Sequence, residues 1–320
     1  MHDLLTDDFR ALSAALGQDP LRVQGPGGNT SIKSDDVMWI KASGTELADA
    51  KSQPIFVAVD RRAAQAQANG AGDGSCKDTV LDPNVTLRPS IETTFHAALD
   101  WAVVAHTHSI ATLTHAVSPQ GRDVLDEKLV GLPFVRVPYA KPGLALTREI
   151  MARVRAETQV IVLENHGLIC CASTVSETSE LMDEVENRLD MPERASETTQ
   201  PEKEALSGFS WAPQSWIAHD PRLCKLALAG SYYPDHVVFL GPALPTKDHD
   251  GKPPVIVIES EGVLIRDDAT PSQHAMLQCL SDLLCRLPKE WNVQEIGADA
   301  EAELLNWDAE KYRQALAART

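Results

Sequence analysis

Trp101-Ala102-Val103-Val104-Ala105-His106-Thr107-His108 is an apolar run that closes on two histidines one residue apart. Read as a buried strand, the run alternates its side chains across the sheet, which puts His106 and His108 on one face at its end, close enough to bind one metal ion. Two imidazoles are a partial zinc site. At least a third ligand is needed, and Glu92 upstream and His166 downstream are the leading candidates.

Working outward, Gln159-Val160-Ile161-Val162-Leu163-Glu164-Asn165-His166-Gly167 repeats the design, an apolar strand whose polar end carries a histidine before a glycine. Pro89-Ser90 opens a helix with Ser90 as N-cap and an apolar stripe of Ile91, Thr94, Phe95, Ala98 and Leu99. Glu92 sits in its first turn, where a glutamate serves the helix dipole as readily as it serves chemistry. Further upstream, Gln24-Gly25-Pro26-Gly27-Gly28-Asn29-Thr30-Ser31 is a glycine-rich turn leading into Ile32-Lys33. Val37 to Lys41 is the second strand of a hairpin, and Ala42-Ser43-Gly44-Thr45 a second small-residue turn. Such turns either cradle an anion, with Asn29, Ser43 and Thr45 adding donors, or simply let the chain bend tightly. The G-x-G-G spacing followed by a hairpin, not a helix, is a poor dinucleotide fingerprint.

The remaining pattern alternates helices and strands. Thr6 to Leu16, Ile110 to Ala116, Thr147 to Val154 and Ser176 to Leu189 read as helices; Ile55 to Asp60 and Phe134 to Pro138 read as strands; Gln67 to Asp82 reads as a surface loop. The polar, proline-bearing stretch from Met191 to Leu206 marks a boundary. Beyond it, His236 to Gly241, Val255 to Ile258 and Gly262 to Ile265 read as strands, and Ser272 to Leu287 and Asp299 to Ala317 as helices. The organisation expected is a main domain over 1–195 and a smaller α/β extension over 207–320.

At 320 residues, 43% hydrophobic and 23% charged, the chain has the composition of a globular protein with a substantial core. Its formal charge of -17 argues against a nucleic-acid partner, because backbone binding needs a basic footprint. It does not exclude an anionic small molecule, since a local pocket can oppose the global sign. No stretch is apolar enough to span a bilayer, and the start lacks a signal-peptide pattern, so a cytoplasmic setting is expected. The six scattered cysteines form no C-x-x-C pair and read as reduced structural thiols.

An H-x-H at a strand end, a second strand ending Glu164-Asn165-His166-Gly167, a glutamate at a helix start before the H-x-H, and a glycine-rich Asn29 turn occur here in one order. That order, over roughly residues 6 to 190, resembles the class II aldolase/adducin family, which includes fuculose- and rhamnulose-phosphate aldolases. Tyr233-Pro234-Asp235-His236-Val237-Val238-Phe239-Leu240-Gly241-Pro242 and Leu305-Asn306-Trp307-Asp308-Ala309-Glu310-Lys311-Tyr312-Arg313 are similar to the aldolase portion of rhamnulose-phosphate aldolase/alcohol dehydrogenase proteins.

The resemblance implies a three-layer α/β/α domain with a mainly antiparallel central sheet, carrying a small α/β C-terminal extension. It implies Zn2+ (or another divalent metal) on His106, His108 and His166, Glu92 as acid/base, and Asn29, Ser43, Gly44 and Ser90 where those aldolases hold phosphate. It also implies a homotetramer acting on a small sugar-derived hydroxy-ketone, as a lyase that stabilises an enediolate. Ile91 stands where phosphate-binding members carry a second serine. Where the fuculose-phosphate enzyme uses a tyrosine as second acid, no tyrosine stands near Asp126-Glu127-Lys128, and likeness to the rhamnulose-phosphate enzyme, which uses a glutamate, implies Glu127 as the substitute. Tyr139 and His236 are further polar side chains to place against the site. Decarboxylation or epimerisation of a sugar acid or sugar phosphate would use the same chemistry, and a non-catalytic adducin-like assembly module would keep the fold without the metal.

Overall fold

The computed structural model describes residues 4–194 and 201–317, so the 195–200 part of the expected linker and residues 1–3 lie outside what is described. The first strands are β1 (Asn29–Lys33), β2 (Val37–Lys41), β3 (Phe56–Asp60), β4 (Val103–Thr107), β5 (Phe134–Val137), β6 (Val160–Leu163) and β7 (Gly167–Ala172). They form one sheet in the order β3-β2-β1-β4-β7-β6-β5, antiparallel except for the β5/β6 pair. Between them run α1 (Asp7–Gln18), α2 (Arg61–Ala68), α3 (Thr93–Ala98), α4 (Ile110–Ala116), α5 (Pro119–Lys128), α6 (Leu144–Met151) and α7 (Val175–Leu189).

Strand alternation sorts the core into layers. From β4, Val103 and Ala105 join Phe9 of α1, Leu125 of α5 and Met182 of α7 on one face. Val104 joins Phe95 of α3 and Leu146 and Ile150 of α6 on the other. The domain is therefore helix, sheet, helix, with the central strands β4, β6 and β7 buried on both faces. His106 shares the Val104 face and meets the Phe95 ring edge-on at 6.0 Å between centroids.

The remaining elements are β8 (Phe209–Trp211), α8 (Pro221–Ala229), α9 (Pro234–Leu240), β9 (Val255–Ile258), β10 (Gly262–Arg266), α10 (Pro271–Arg286), α11 (Ala298–Leu305) and α12 (Asp308–Ala317). The strands make a small antiparallel sheet, β8-β10-β9. Its core is continuous with the first unit, because Ile110, Leu113 and Val117 pack among Tyr232, Phe239, Leu280 and Leu284.

Four expectations need correction. His236 to Gly241 is not a strand: Pro234 sits in the first turn of a helix, and Gly241 ends it at φ 94°. All seven residues of α9 are buried, so the segment has no polar face to reveal a helical period. The helix after Pro89 begins at Thr93, with Glu92 in the cap position. The Gln67 to Asp82 stretch includes the end of α2 and a 3-10 turn at Lys77–Thr79, with Cys76 buried. The last helix is broken at Asn306 and Trp307 into α11 and α12. Strand β7, which no sequence signal marked, returns from β6 through the three residues Glu164-Asn165-His166. Asn165 takes the left-handed conformation at φ 54° that such a short loop requires.

Candidate metal centre

His106 lies at the end of β4, opposite Asn29 of β1 and Ile169 of β7. His108 follows one residue beyond the strand, and His166 closes the β6–β7 hairpin. A nitrogen from each ring falls within 4.8 Å of the others, and all three residues are buried. Burial pushes the imidazoles of His108 and His166 down to about 3, so both are neutral at ordinary pH, the form a metal requires. The Leu168 carbonyl oxygen lies 3.0 Å from His106 Nδ1 and accepts a hydrogen bond from it, which turns Nε2 inward.

Glu92 enters the same space. Its Oε2 is 3.5 Å from His106 Nε2 and its Oε1 is 3.6 Å from His166 Nε2. Although Glu92 occupies a helix cap position, its side chain makes no capping bond. It is oriented instead by Asn29, whose Nδ2 donates to Glu92 Oε2 at 2.8 Å and to Ser90 Oγ at 3.2 Å. The orientation of Asn29 follows from His96. That buried ring, pushed well below its ordinary value by desolvation, pairs Nε2 with Asn29 Oδ1 and Nδ1 with Ser31 Oγ. Glu92 Oε1, His106 Nε2 and His166 Nδ1 are buried without a hydrogen-bond partner. Buried polar atoms without partners thus occur on three residues of one cluster, and a donor set of three imidazoles fits a divalent cation with open positions.

The glycine turn serves this geometry directly. A Cβ on Gly27 would come within 2.8 Å of His108 Nδ1, and one on Gly28 within 2.8 Å of the His106 carbonyl oxygen. Gly167 is tighter still, since its Cβ would overlap the Thr107 carbonyl oxygen between the two histidine-bearing strands. Gly167→Ala is accordingly expected to destabilise the metal-free protein by about 3 kcal/mol; urea unfolding checks this, and an unchanged midpoint would show that β4 and β7 separate freely.

A small cleft of about 30 Å³ opens over the centre, lined by Asn29, Ser43, Gly44, Ser90, Glu92, His108 and His166. Glu127 is exposed on α5 and lies outside this lining, as do the half-buried Tyr139 and the buried His236. Lys41, Asp235 and Arg313 complete the wall and were not singled out from the sequence. Lys41 Nζ donates to the Pro26 carbonyl at 2.8 Å and the Thr45 carbonyl at 2.5 Å, and burial pushes it down to about 7. Asp235 and Arg313 belong to the two C-terminal stretches similar to the aldolase/dehydrogenase proteins, but no local pattern there announces a site.

Residues 11–191 match the class II aldolase and adducin N-terminal domain. The uncharacterized oxidoreductase YuxG of Bacillus subtilis is 31% identical over 183 residues, 52% of this chain and 26% of that protein. The 3-oxo-tetronate 4-phosphate decarboxylase of Escherichia coli K12 is 32% identical over 113 residues, 31% of this chain and 52% of that protein. The chain thus spans about half or less of the curated relatives it matches. Among solved structures, the N-terminal class II aldolase domain of a conserved protein from Thermoplasma acidophilum superposes with a TM-score of 0.51 at 28% identity, covering 58% of this chain and 92% of that one. With the match spanning more than half of its length, the chain belongs to the class II aldolase and adducin N-terminal domain family.

Proposed function

We propose that the chain is a zinc-dependent carbon–carbon lyase of the aldolase type, acting on a sugar-derived hydroxy-ketone, with His106, His108 and His166 as the metal ligands and Glu92 as the acid/base. The observation that carries this reading is the placement of Glu92 between two of three convergent imidazoles, 3.5 Å from His106 Nε2 and 3.6 Å from His166 Nε2. A zinc ion held there would supply electrophilic stabilisation of the charge left on substrate oxygens when the bond breaks. The chain's own residues supply the rest: Glu92 Oε1 holds or moves the proton, Asn29 and His96 keep that carboxylate aimed, and the buried wall excludes water.

Decarboxylation of a 3-oxo sugar acid is the second reading, favoured by the likeness to 3-oxo-tetronate 4-phosphate decarboxylase. Ser43, Gly44 and Ser90 would face a substrate's anionic end. Against a phosphate, Ser90 Oγ already accepts from Asn29 and the Glu92 amide, and Ile91 offers no hydroxyl. We further infer a division into a metal-binding unit over 1–195 and an extension over 207–320. We also infer a homotetramer by likeness to the family, and a role for exposed Glu127 would need a second copy of the chain. Six free cysteines, all buried, suit a cytoplasmic setting.

Two measurements test the proposal. Protein purified without chelator is expected to carry a divalent ion at near-stoichiometric occupancy, and its absence would favour a non-catalytic module. The zinc form is then screened against short ketose phosphates, unphosphorylated ketoses and 3-oxo sugar acids. Cleavage yielding an aldehyde supports the lyase, whereas carbon dioxide release from the oxo acids alone transfers the assignment to decarboxylation.

A further inference from the structure

His106 and His108 each need an outer partner to fix a tautomer, and the two partners come from opposite parts of the chain. For His106 it is the Leu168 carbonyl within the central sheet. For His108 it is Asp235 of α9, whose Oδ2 lies 3.4 Å from Nδ1. Asp235 is itself held by a fork: Arg313 of α12 donates from Nη1 to Oδ1 at 2.8 Å and from Nη2 to Oδ2 at 3.0 Å. Glu310, one turn earlier, accepts from Arg313 Nη1 at 2.9 Å. Asp235, Glu310 and Arg313 are all buried.

We propose that Asp235, locked by Arg313, is the positioning residue for His108, so that the C-terminal extension forms the outer half of the metal centre. A carboxylate on Nδ1–H fixes the tautomer, leaves Nε2 for the metal and makes the ring a better donor. The fork matters because a guanidinium holds both carboxylate oxygens in one plane, which a lysine does not. Stability alone is a weak reason for such a cluster, since buried ion pairs contribute little relative to apolar side chains of the same volume. Asp235, Glu310 and Arg313 all lie beyond residues 11–191, the part matched to the family. The inference rests on the metal reading proposed above.

The test is zinc affinity of the full chain, by competition with a chromogenic chelator, together with the visible spectrum of the cobalt(II) form. Asp235→Asn is expected to weaken zinc binding about 10–100-fold and to alter the cobalt spectrum. Glu310→Gln, which removes the carboxylate that does not touch His108, should stay within about threefold of wild type. Arg313→Lys keeps the buried charge and serves if Asp235→Asn does not fold; it should fall between the other two. Wild-type affinity in Asp235→Asn, or in Arg313→Lys where that variant replaces it, overturns the inference alone. So does an equal loss in Glu310→Gln, which would reduce the cluster to packing. Failure of the wild-type protein to bind any divalent metal overturns the proposed function and this inference together.

Discussion

Glu92→Gln is expected to leave the protein folded and metal-loaded while turnover falls by about 10²–10⁴-fold, the range typical of a positioned acid/base. The substitution is nearly isosteric, and the amide oxygen of the new side chain still accepts from Asn29 Nδ2, now 2.8 Å from Glu92 Oε2. What is lost is the ability to take up and return a proton at Oε1, which has no hydrogen-bond partner. Metal content and turnover of the same preparation, on whichever substrate the screen identifies, separate two roles. Intact metal with lost turnover assigns Glu92 to proton transfer. Loss of the metal would make it chiefly a ligand, and the base would have to be sought elsewhere.

His166→Ala should abolish tight metal binding. Zinc binding at four-ligand structural sites is worth about 10–16 kcal/mol, or roughly 3 kcal/mol per ligand, so removing one of three imidazoles should weaken affinity on the order of 10²-fold or more. A ligand that binds only the folded state adds about 4 kcal/mol of stability at 1,000 times its dissociation constant. Wild-type protein stripped by chelator should therefore melt lower and recover when zinc is restored. His166→Ala should melt near the stripped wild type and gain nothing from zinc. Equal responses of the two proteins would remove His166 from the ligand set. No response in either would point to an assembly module that has kept the histidines without the metal.

The sheet and the centre of the site were legible because they rest on local rules. Strand alternation places His106 and His108 together, whereas the glycines of the Asn29 turn, read from the sequence as an anion cradle or a tight bend, prove to make room for the His108 ring and the His106 carbonyl. The outer parts were not legible. Asp235 reaches His108 only through a fold in which Arg313, 78 residues away, grips it. Nothing in the pattern around either residue encodes that contact. Helix α9 was read as a strand because a short segment buried on every side shows neither the period of a helix nor that of a strand. Strand β7 was missed because its turn uses Asn165 in a left-handed conformation where glycine is the usual signal.

The side chain of Asn165 also has a consequence for how the protein assembles. Its Nδ2 donates to the Tyr232 carbonyl at 3.1 Å and to the Gln294 carbonyl at 2.8 Å, 67 and 129 residues along the chain. These are contacts of high sequence separation, and forming them costs loop-closure entropy before they return any stability. The hairpin that presents His166 can close early from neighbouring strands, whereas its tether to the extension and the Asp235 partner of His108 must form late. An incompletely folded chain would hold three loosely aimed imidazoles, and slow release of metal would mark the molecules that have finished folding.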